Sequence, residues 1–131
     1  MSDPNDDNDL RLFPILRGES VGVDGEFSGP VFVAKSSDEL NRSWDDYDIV
    51  ALHKDLQEYF SEHPGFIDQL FQQVMVVVTE FGKPISDFAA IAHARERMAV
   101  VKAIDATYVL ETDMQISVVT RESQGDIYFI E

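Results

Sequence analysis

The stretch from residue 74 to residue 101, VMVVVTEFGKPISDFAAIAHARERMAVV, determines how the chain folds. It opens with VMVVVT, the most apolar and β-branched run in the sequence, and the lack of polar alternation predicts a strand buried on both faces. Apolar residues then recur at three- and four-residue steps from Phe88, with Ser86 as the predicted N-cap, which indicates a helix. A second apolar run, AVV, follows. The stretch therefore predicts the central strand of an α/β fold with a helix beside it.

Shorter apolar runs extend this pattern in both directions. Upstream, LRLFPIL and GPVFVA are separated by a glycine-rich stretch, which predicts strands with a loop between them, and YDIVAL predicts a further strand. Downstream, MQISVVT and IYFI flank the turn sequence ESQGD and predict a hairpin. Strands and helices alternate in the middle of the chain while strands dominate its ends. We therefore expect a mixed α/β domain.

Short helices are expected before the central strand. Ser36 and Glu39 have the spacing of a capping box, in which each side chain satisfies the free amide of the other residue. The sequence KDLQEYFSEHPGFIDQLFQQ has helical periodicity, but Pro64 would not be tolerated inside a helix. We therefore predict two helices that meet at His63 and Pro64.

The composition fits one folded domain with an acidic tail. The chain has 131 residues, of which 44% are hydrophobic, enough for a single packed core. The opening MSDPNDDND has no apolar residue after Met1 and cannot offset the entropy lost on ordering. We predict that residues 1–10 form a disordered acidic tail and that residues 11–131 form a single domain.

The charge balance argues against several classes of partner. The chain has 25 Asp and Glu residues against 10 Lys and Arg, a formal net charge of -15, so nucleic acid and anionic membranes would be repelled. It has no cysteine, which excludes disulfides and thiolate metal sites. No stretch has the apolar length of a membrane helix, and the acidic N-terminus lacks the basic region of a secretory signal. We therefore expect a cytoplasmic protein.

The order of the motifs resembles a known family. Between Gly18 and the C-terminus, SGPVFVA, YDIVAL, VVVTEFGK, SDFAAIA, MAVV and DAT are similar to motifs of the mobile, swivelling phosphohistidine domain of the phosphoenolpyruvate-utilising enzymes. That family includes pyruvate phosphate dikinase, phosphoenolpyruvate synthase and Enzyme I of the sugar phosphotransferase system. The resemblance implies a swivelling β/β/α domain, which is an α/β fold with a mixed sheet and helices on one side. It also implies phosphoryl transfer on a histidine at a helix N-terminus, where backbone amides and the helix dipole hold the phosphate.

The residue on which that chemistry depends is absent. Aligned without gaps, Ser86 takes the position of the family's serine and Asp87 takes that of its histidine. Asp87 has three interpretations: a carboxylate that stabilises the helix N-terminus, a phosphoryl acceptor, or a mimic of the phosphorylated state. We favour the first. The candidate binding residues beside Asp87 are Ser86, Gly82, Lys83 and His93.

The resemblance implies a catalytically degenerate relative that binds a partner protein, such as a separate nucleotide- or phosphoenolpyruvate-binding component. One alternative is a phosphoryl carrier that uses Asp87 or His93, and another is a structural subunit of an oligomer. His93 follows Asp87 by about 600° of helical rotation, so it does not share its face, and we favour a helix-surface or packed histidine. Since His53, His63 and His93 are spread along the chain, we expect no metal site. We expect no cofactor, and the missing acceptor histidine argues against an enzyme.

The charge of -15 predicts that salt stabilises the fold. Concentrated KCl screens the repulsion between carboxylates, because the Debye length falls from about 10 Å at 0.1 M to about 3 Å at 1 M. We expect the melting temperature, followed by circular dichroism, to rise markedly from dilute buffer to molar KCl. A melting temperature that stays flat across this range would remove adaptation to a salt-rich cytoplasm as the explanation of the acidity.

Overall fold

The computed structural model describes residues 13–82 and 85–130. The predicted tail, residues 1–10, lies outside these ranges. The strands are β1 (Leu16–Ser20), β2 (Gly25–Ala34), β3 (Ile49–Leu52), β4 (Val76–Thr79), β5 (Met98–Val101), β6 (Gln115–Arg121) and β7 (Gln124–Phe129). The α-helices are α1 (Gln57–Glu62), α2 (Gly65–Gln73), α3 (Ile85–Ala94) and α4 (Ala106–Val109). Short 3₁₀ turns cover Asp38–Leu40 and Lys54–Leu56.

The strands close into a barrel in the order β1-β5-β4-β3-β2-β6-β7. The neighbours from β2 to β5 are parallel to one another. The pairs of β1 with β5 and β7, of β6 with β2, and of β6 with β7 are antiparallel. The predicted C-terminal hairpin is therefore confirmed. The position of β4 between β3 and β5 also confirms VMVVVT as a central strand.

Two apolar cores lie on the two sides of the parallel strands. Inside the barrel, Val76 and Val78 of β4 belong to the inner core. Outside it, Val77 packs with residues of the helices in the outer core. Successive residues of a strand point to opposite faces, so a strand between two cores must be apolar at almost every position. This explains why β4 lacks the alternation of a half-exposed strand.

Aromatic side chains from three helices build much of the outer core. Phe60 of α1, Phe71 of α2 and Phe88 of α3 are fully buried. The ring of Phe88 lies 5.8 Å from that of Phe60 and 6.3 Å from that of Phe71 between centroids. α1 ends at Glu62 with His63 as its C-cap, and α2 begins after Pro64, which confirms the predicted break. These three helices together cover one flank of the barrel.

The structure corrects the expectations in three respects. The α/β class is confirmed in its coarse sense only, because the sheet closes into a seven-stranded barrel that the sequence analysis did not predict. The prediction of a capping box is wrong, because Glu39 Oε1 accepts a hydrogen bond from the backbone N–H of Lys35, at 2.6 Å, rather than from the backbone N–H of Ser36. Ser86 is not an N-cap, because α3 already begins at Ile85.

Gly125 of β7 tests how tightly the inner core is packed. A methyl group on Gly125 would meet Val100 Cγ2 at 2.6 Å, which is closer than packed side-chain carbons approach. We expect Gly125→Ala to destabilise the fold by about 1–3 kcal/mol through overpacking, measured by urea denaturation.

Gly65, the first residue of α2, provides a matched control. A methyl group there has no neighbour within 4 Å, so Gly65→Ala should be neutral or stabilise the protein by up to about 1 kcal/mol. Equal effects of the two substitutions would contradict the packing described for Gly125.

Candidate functional site

Four parallel strands end side by side at one end of the barrel. Ala34 of β2 pairs with Leu52 of β3, and Leu52 pairs with Thr79 of β4. Because the carboxyl ends of parallel strands meet at the same edge of a sheet, the residues that follow the strands are neighbours. We call these residues the carboxyl rim: Lys35, His53, Glu80 and Lys102.

Glu80 connects three elements at the carboxyl rim. Its Oε1 atom accepts a hydrogen bond from the backbone N–H of Lys54, at 2.9 Å. Its Oε2 atom accepts two more from Thr107, one from the backbone N–H and one from the hydroxyl group, both at 2.8 Å. The carboxylate thereby ties the end of β4 to the segment after β3 and to α4.

These hydrogen bonds determine the ionisation of Glu80. Partial burial by itself would raise the pKa of the carboxyl group, but the hydrogen bonds from Thr107 and Lys54, with His53 nearby, hold the pKa below its ordinary value. A carboxylate with a lowered pKa and two occupied oxygens is a weak general base. Glu80 therefore suits the bracing of the rim rather than proton transfer.

The segment from Ile104 to Leu110, which contains α4, closes this end of the barrel and displays two apolar side chains. Ala106 and Leu110 are buried in the inner core. Tyr108, in contrast, is 88% exposed, and Ile104, four residues earlier, is 70% exposed. Buried neighbours thus fix the backbone of a segment whose largest apolar side chains face the solvent.

Tyr108 lies between two concave pockets, since it lines both. The first has a volume of about 220 Å³, and its walls include His53, Glu80 and Ile104. The second is more open, with a volume of about 460 Å³, and its walls include Glu39 and Glu111. An aromatic ring flanked by concave surface is a shape that a second macromolecule can enclose.

Carboxylates lie beside the exposed apolar pair. Asp105, between Ile104 and Tyr108 in the chain, is exposed, as are Glu39 and Glu111 in the second pocket. At the rim itself, the charge of Lys102 is partly balanced, since its Nζ atom lies 3.4 Å from Glu19 Oε2. In the walls of the two pockets the carboxylates outnumber the lysines, because Glu39, Glu80, Asp105 and Glu111 line them together with Lys35 and Lys54. The surface therefore combines an apolar centre with surroundings that are acidic on balance. We call the residues Ile104, Asp105, Tyr108 and Glu111 the acidic docking surface.

The structure describes four of the five residues predicted as a phosphoryl site, namely Gly82, Ser86, Asp87 and His93. Asp87 is half-buried in the first turn of α3, whereas His93 is exposed in its last turn. Ser86 is exposed, and Gly82 lies against Lys102, whose Cε atom would be 2.7 Å from a methyl group on Gly82. Lys83 lies outside the described residues. Their role in binding stays a prediction.

Two other classes of feature are absent from the described part of the chain. Within residues 13–82 and 85–130, no three His, Asp or Glu side chains come together to hold a metal ion. The helices in these ranges are too short or too polar to cross a bilayer.

The sequence analysis did not single out the residues that build this surface. The position of Glu80 in the sequence could have identified it as a candidate site residue. It directly follows the central strand, and polar residues at the carboxyl ends of parallel strands often line sites. The exposure of Ile104 and Tyr108 could not be predicted, because apolar residues in a short segment look the same in sequence whether they are buried or exposed.

The fold of the chain is similar to that of known structures. No protein-family model matches the chain, and no curated protein sequence matches it. The solution NMR structure of a UPF0107 protein has a TM-score of 0.57 at 12% identity, over 91% of this chain and 98% of that one.

The microcin C7 self-immunity protein MccF, in an inactive mutant apo state, has a TM-score of 0.54 at 9% identity, over 88% of this chain. A complex of MccF with adenosine monophosphate gives a TM-score of 0.55 at 10% identity. The chain spans 41% of the length of MccF.

These similarities overturn the resemblance to the phosphoenolpyruvate-utilising enzymes, because the structural neighbours are a UPF0107 protein and MccF and not a phosphohistidine domain. The motifs have a different explanation. Most of them are the apolar strands β2 to β5, and the Thr–Glu pair ends β4. There the Thr79 hydroxyl donates to the Phe81 carbonyl at 2.6 Å, while Glu80 braces the rim. Buried parallel strands and their turns impose such sequences in unrelated proteins, so the motifs were not specific to one family.

Replacing Glu80 tests its bracing role. In Glu80→Gln, an amide NH₂ group would face an N–H of Lys54 or Thr107 and leave a donor unsatisfied, so we expect a loss of about 1–3 kcal/mol near neutral pH. Since the pKa of Glu80 is lowered in the fold, its contribution is present above the ordinary carboxyl pKa of 4.5 and is lost as the pH falls below that value. Urea denaturation at several pH values should show the difference between wild type and variant shrinking on acidification.

Glu111→Gln is the matched control, because Glu111 is an exposed carboxylate on the same surface. It should change the free energy of unfolding by less than about 0.5 kcal/mol at every pH. If the free energy of unfolding of Glu80→Gln stays below that of wild type by the same amount from neutral to acidic pH, this would contradict the role of the ionised carboxylate.

Proposed function

We propose that the protein is a binding module that docks a separate partner protein through the acidic docking surface. The proposal rests on two exposed side chains, Ile104 (70% exposed) and Tyr108 (88% exposed). They belong to a segment that the buried Ala106 and Leu110 hold in place. Large side chains on a rigid backbone lose little conformational entropy on binding, and aromatic residues in such positions contribute most to interface energies.

The charge of the chain favours a basic partner. Asp105 and Glu111 flank the apolar centre, and a partner with Lys or Arg around an apolar pocket would be complementary in both respects. A second copy of this chain is disfavoured, because association would bring together two chains with a net charge of -15 each. The proposal therefore places a basic protein, rather than another copy, on this surface.

Catalysis at the same surface has weaker support. The Thr107 hydroxyl group is buried and donates to Glu80, whose lowered pKa makes it a poor base. This arrangement favours a structural network over an activated nucleophile. Binding is thus the function that the geometry supports best.

The comparisons with known structures support a modular role. The same fold accounts for 98% of a UPF0107 protein and for 41% of MccF, so it occurs both nearly alone and as part of a longer chain. We place the partner at the rim end rather than on the helices α1, α2 and α3. The nucleotide and the glutamyl sulfamoyl guanosine of the MccF complexes are ligands of MccF, and the proposal does not extend to them.

Site-specific photocrosslinking in cells of the source organism tests the proposal. A photoreactive phenylalanine analogue replaces Ile104 or Tyr108 in turn, and mass spectrometry identifies the adduct. Tyr47 is the matched control position, because it is also an exposed aromatic residue, 53% exposed, but precedes β3 and so lies at the opposite end of that strand. We expect one basic protein to be crosslinked from both positions 104 and 108 and not from position 47.

A substitution then tests the affinity of the identified pair. Ile104→Asp should weaken binding of the purified partner at least tenfold, whereas Tyr47→Asp, with the same change in charge, should leave it unchanged. An adduct at twice the mass of this chain would identify a homo-oligomer and overturn the proposal. The same adducts from all three positions would also overturn it, because they would indicate random contact.

A further inference from the structure

A separate pocket lies on the helical flank, away from α4. It has a volume of about 270 Å³ and lies between the segment around the 3₁₀ turn Asp38–Leu40 and helices α1 and α2. We call it the aromatic pocket, after Trp44, Tyr59 and Phe66 in its walls. Its volume is close to the lower limit for small-molecule sites and would hold a single-ring compound.

Arg42 is positioned in the wall of this pocket by aromatic contacts. Its guanidinium carbon lies 4.5 Å from the ring centroid of Phe32 and 4.6 Å from that of Trp44. Its Nε atom donates to the carbonyl of Ser43 at 3.1 Å. Among the described residues, Arg42 forms no ion pair with a carboxylate. The two terminal nitrogens of the guanidinium group therefore have no described acidic partner.

The pocket also differs from the others in the charge of its walls. None of its lining residues is Asp or Glu, although the chain has 25 of them, whereas the two pockets beside Tyr108 each include carboxylates. Gln73 adds a donor, because its Oε1 atom accepts from the backbone N–H of Trp44 at 3.2 Å and so leaves its NH₂ group free to donate. The polar groups in this pocket thus favour an acceptor.

We infer that the aromatic pocket binds a small planar monocarboxylate, with the carboxylate on the guanidinium group of Arg42 and the ring against Trp44, Tyr59 and Phe66. A guanidinium group presents paired N–H donors that match the two oxygens of a carboxylate. A monoanion is preferred over a dianion such as a phosphate, because repulsion by a chain of net charge -15 grows with each charge on the ligand. This inference goes beyond the proposed docking of a protein and does not depend on it.

Fluorescence titration tests the inference, since Trp44 is the only tryptophan of the chain. Benzoate is the probe, benzamide is its uncharged isostere, and phenyl phosphate is the dianionic analogue. We expect saturable quenching or a spectral shift with benzoate and at least tenfold weaker binding of benzamide and phenyl phosphate. No saturable change with benzoate would overturn the inference, and so would equal affinities for benzoate and benzamide.

Substitutions separate the guanidinium group from the charge of the chain. Arg42→Met should weaken benzoate binding at least tenfold, whereas Arg121→Met, which removes the same charge from an exposed position on β6, should leave the affinity unchanged. Arg42→Lys keeps the charge but not the paired donors and should give an intermediate affinity. Because the substitutions at Arg42 alter its contacts with Trp44, each variant is first shown by circular dichroism to melt within a few degrees of wild type. Equal affinities of the Arg42→Met and Arg121→Met variants would overturn the inference.

Discussion

The strands β3, β4 and β5 must bury both of their faces, and the rest of the structure follows from this constraint. All twelve positions of these strands are buried, and Thr79 is the sole polar residue among them. A flat sheet with helices on one side would leave the other face in water. The chain avoids this by curving the sheet until β1, β6 and β7 close it into a barrel, so that one face packs inside and the other packs under the helices.

The closed barrel in turn creates the features on which function is proposed. Because β2 to β5 are parallel and in register, their carboxyl ends form a single rim, and Glu80 at its centre binds the segments that lie across it. The segment that contains α4 fills the barrel end with Ala106 and Leu110, and this packing leaves Ile104 and Tyr108 on the outside. The acidic docking surface is thus a consequence of closing the barrel. The aromatic pocket arises on the other core, where the helices meet the loop that carries Arg42.

The similarity to a UPF0107 protein and to MccF, at 9% to 12% identity, shows how little of the sequence this fold prescribes. What the fold requires is apolar residues on buried strands, small residues where strands crowd the inner core, and a helix after the central strand. Gly18 and Gly125 illustrate the second requirement, because they are paired in the register and both lie against Val100. Motifs that satisfy such requirements are shared by unrelated families, which is why the resemblance to a phosphohistidine domain was wrong while the strands it marked were real.

The sequence by itself determined the local elements whose signals are local. The apolar run before Thr79 specified a strand buried on both faces, Pro64 specified a helix break, and the turn before β7 specified a hairpin. Only the tertiary structure decided the closure of the barrel, because the pairing of β1 with β5 and β7 joins residues far apart in the chain and has no local pattern. It also decided which side chains form sites. Glu80, Arg42 and Tyr108 differ from other residues of their types only through neighbours that long-range contacts bring to them.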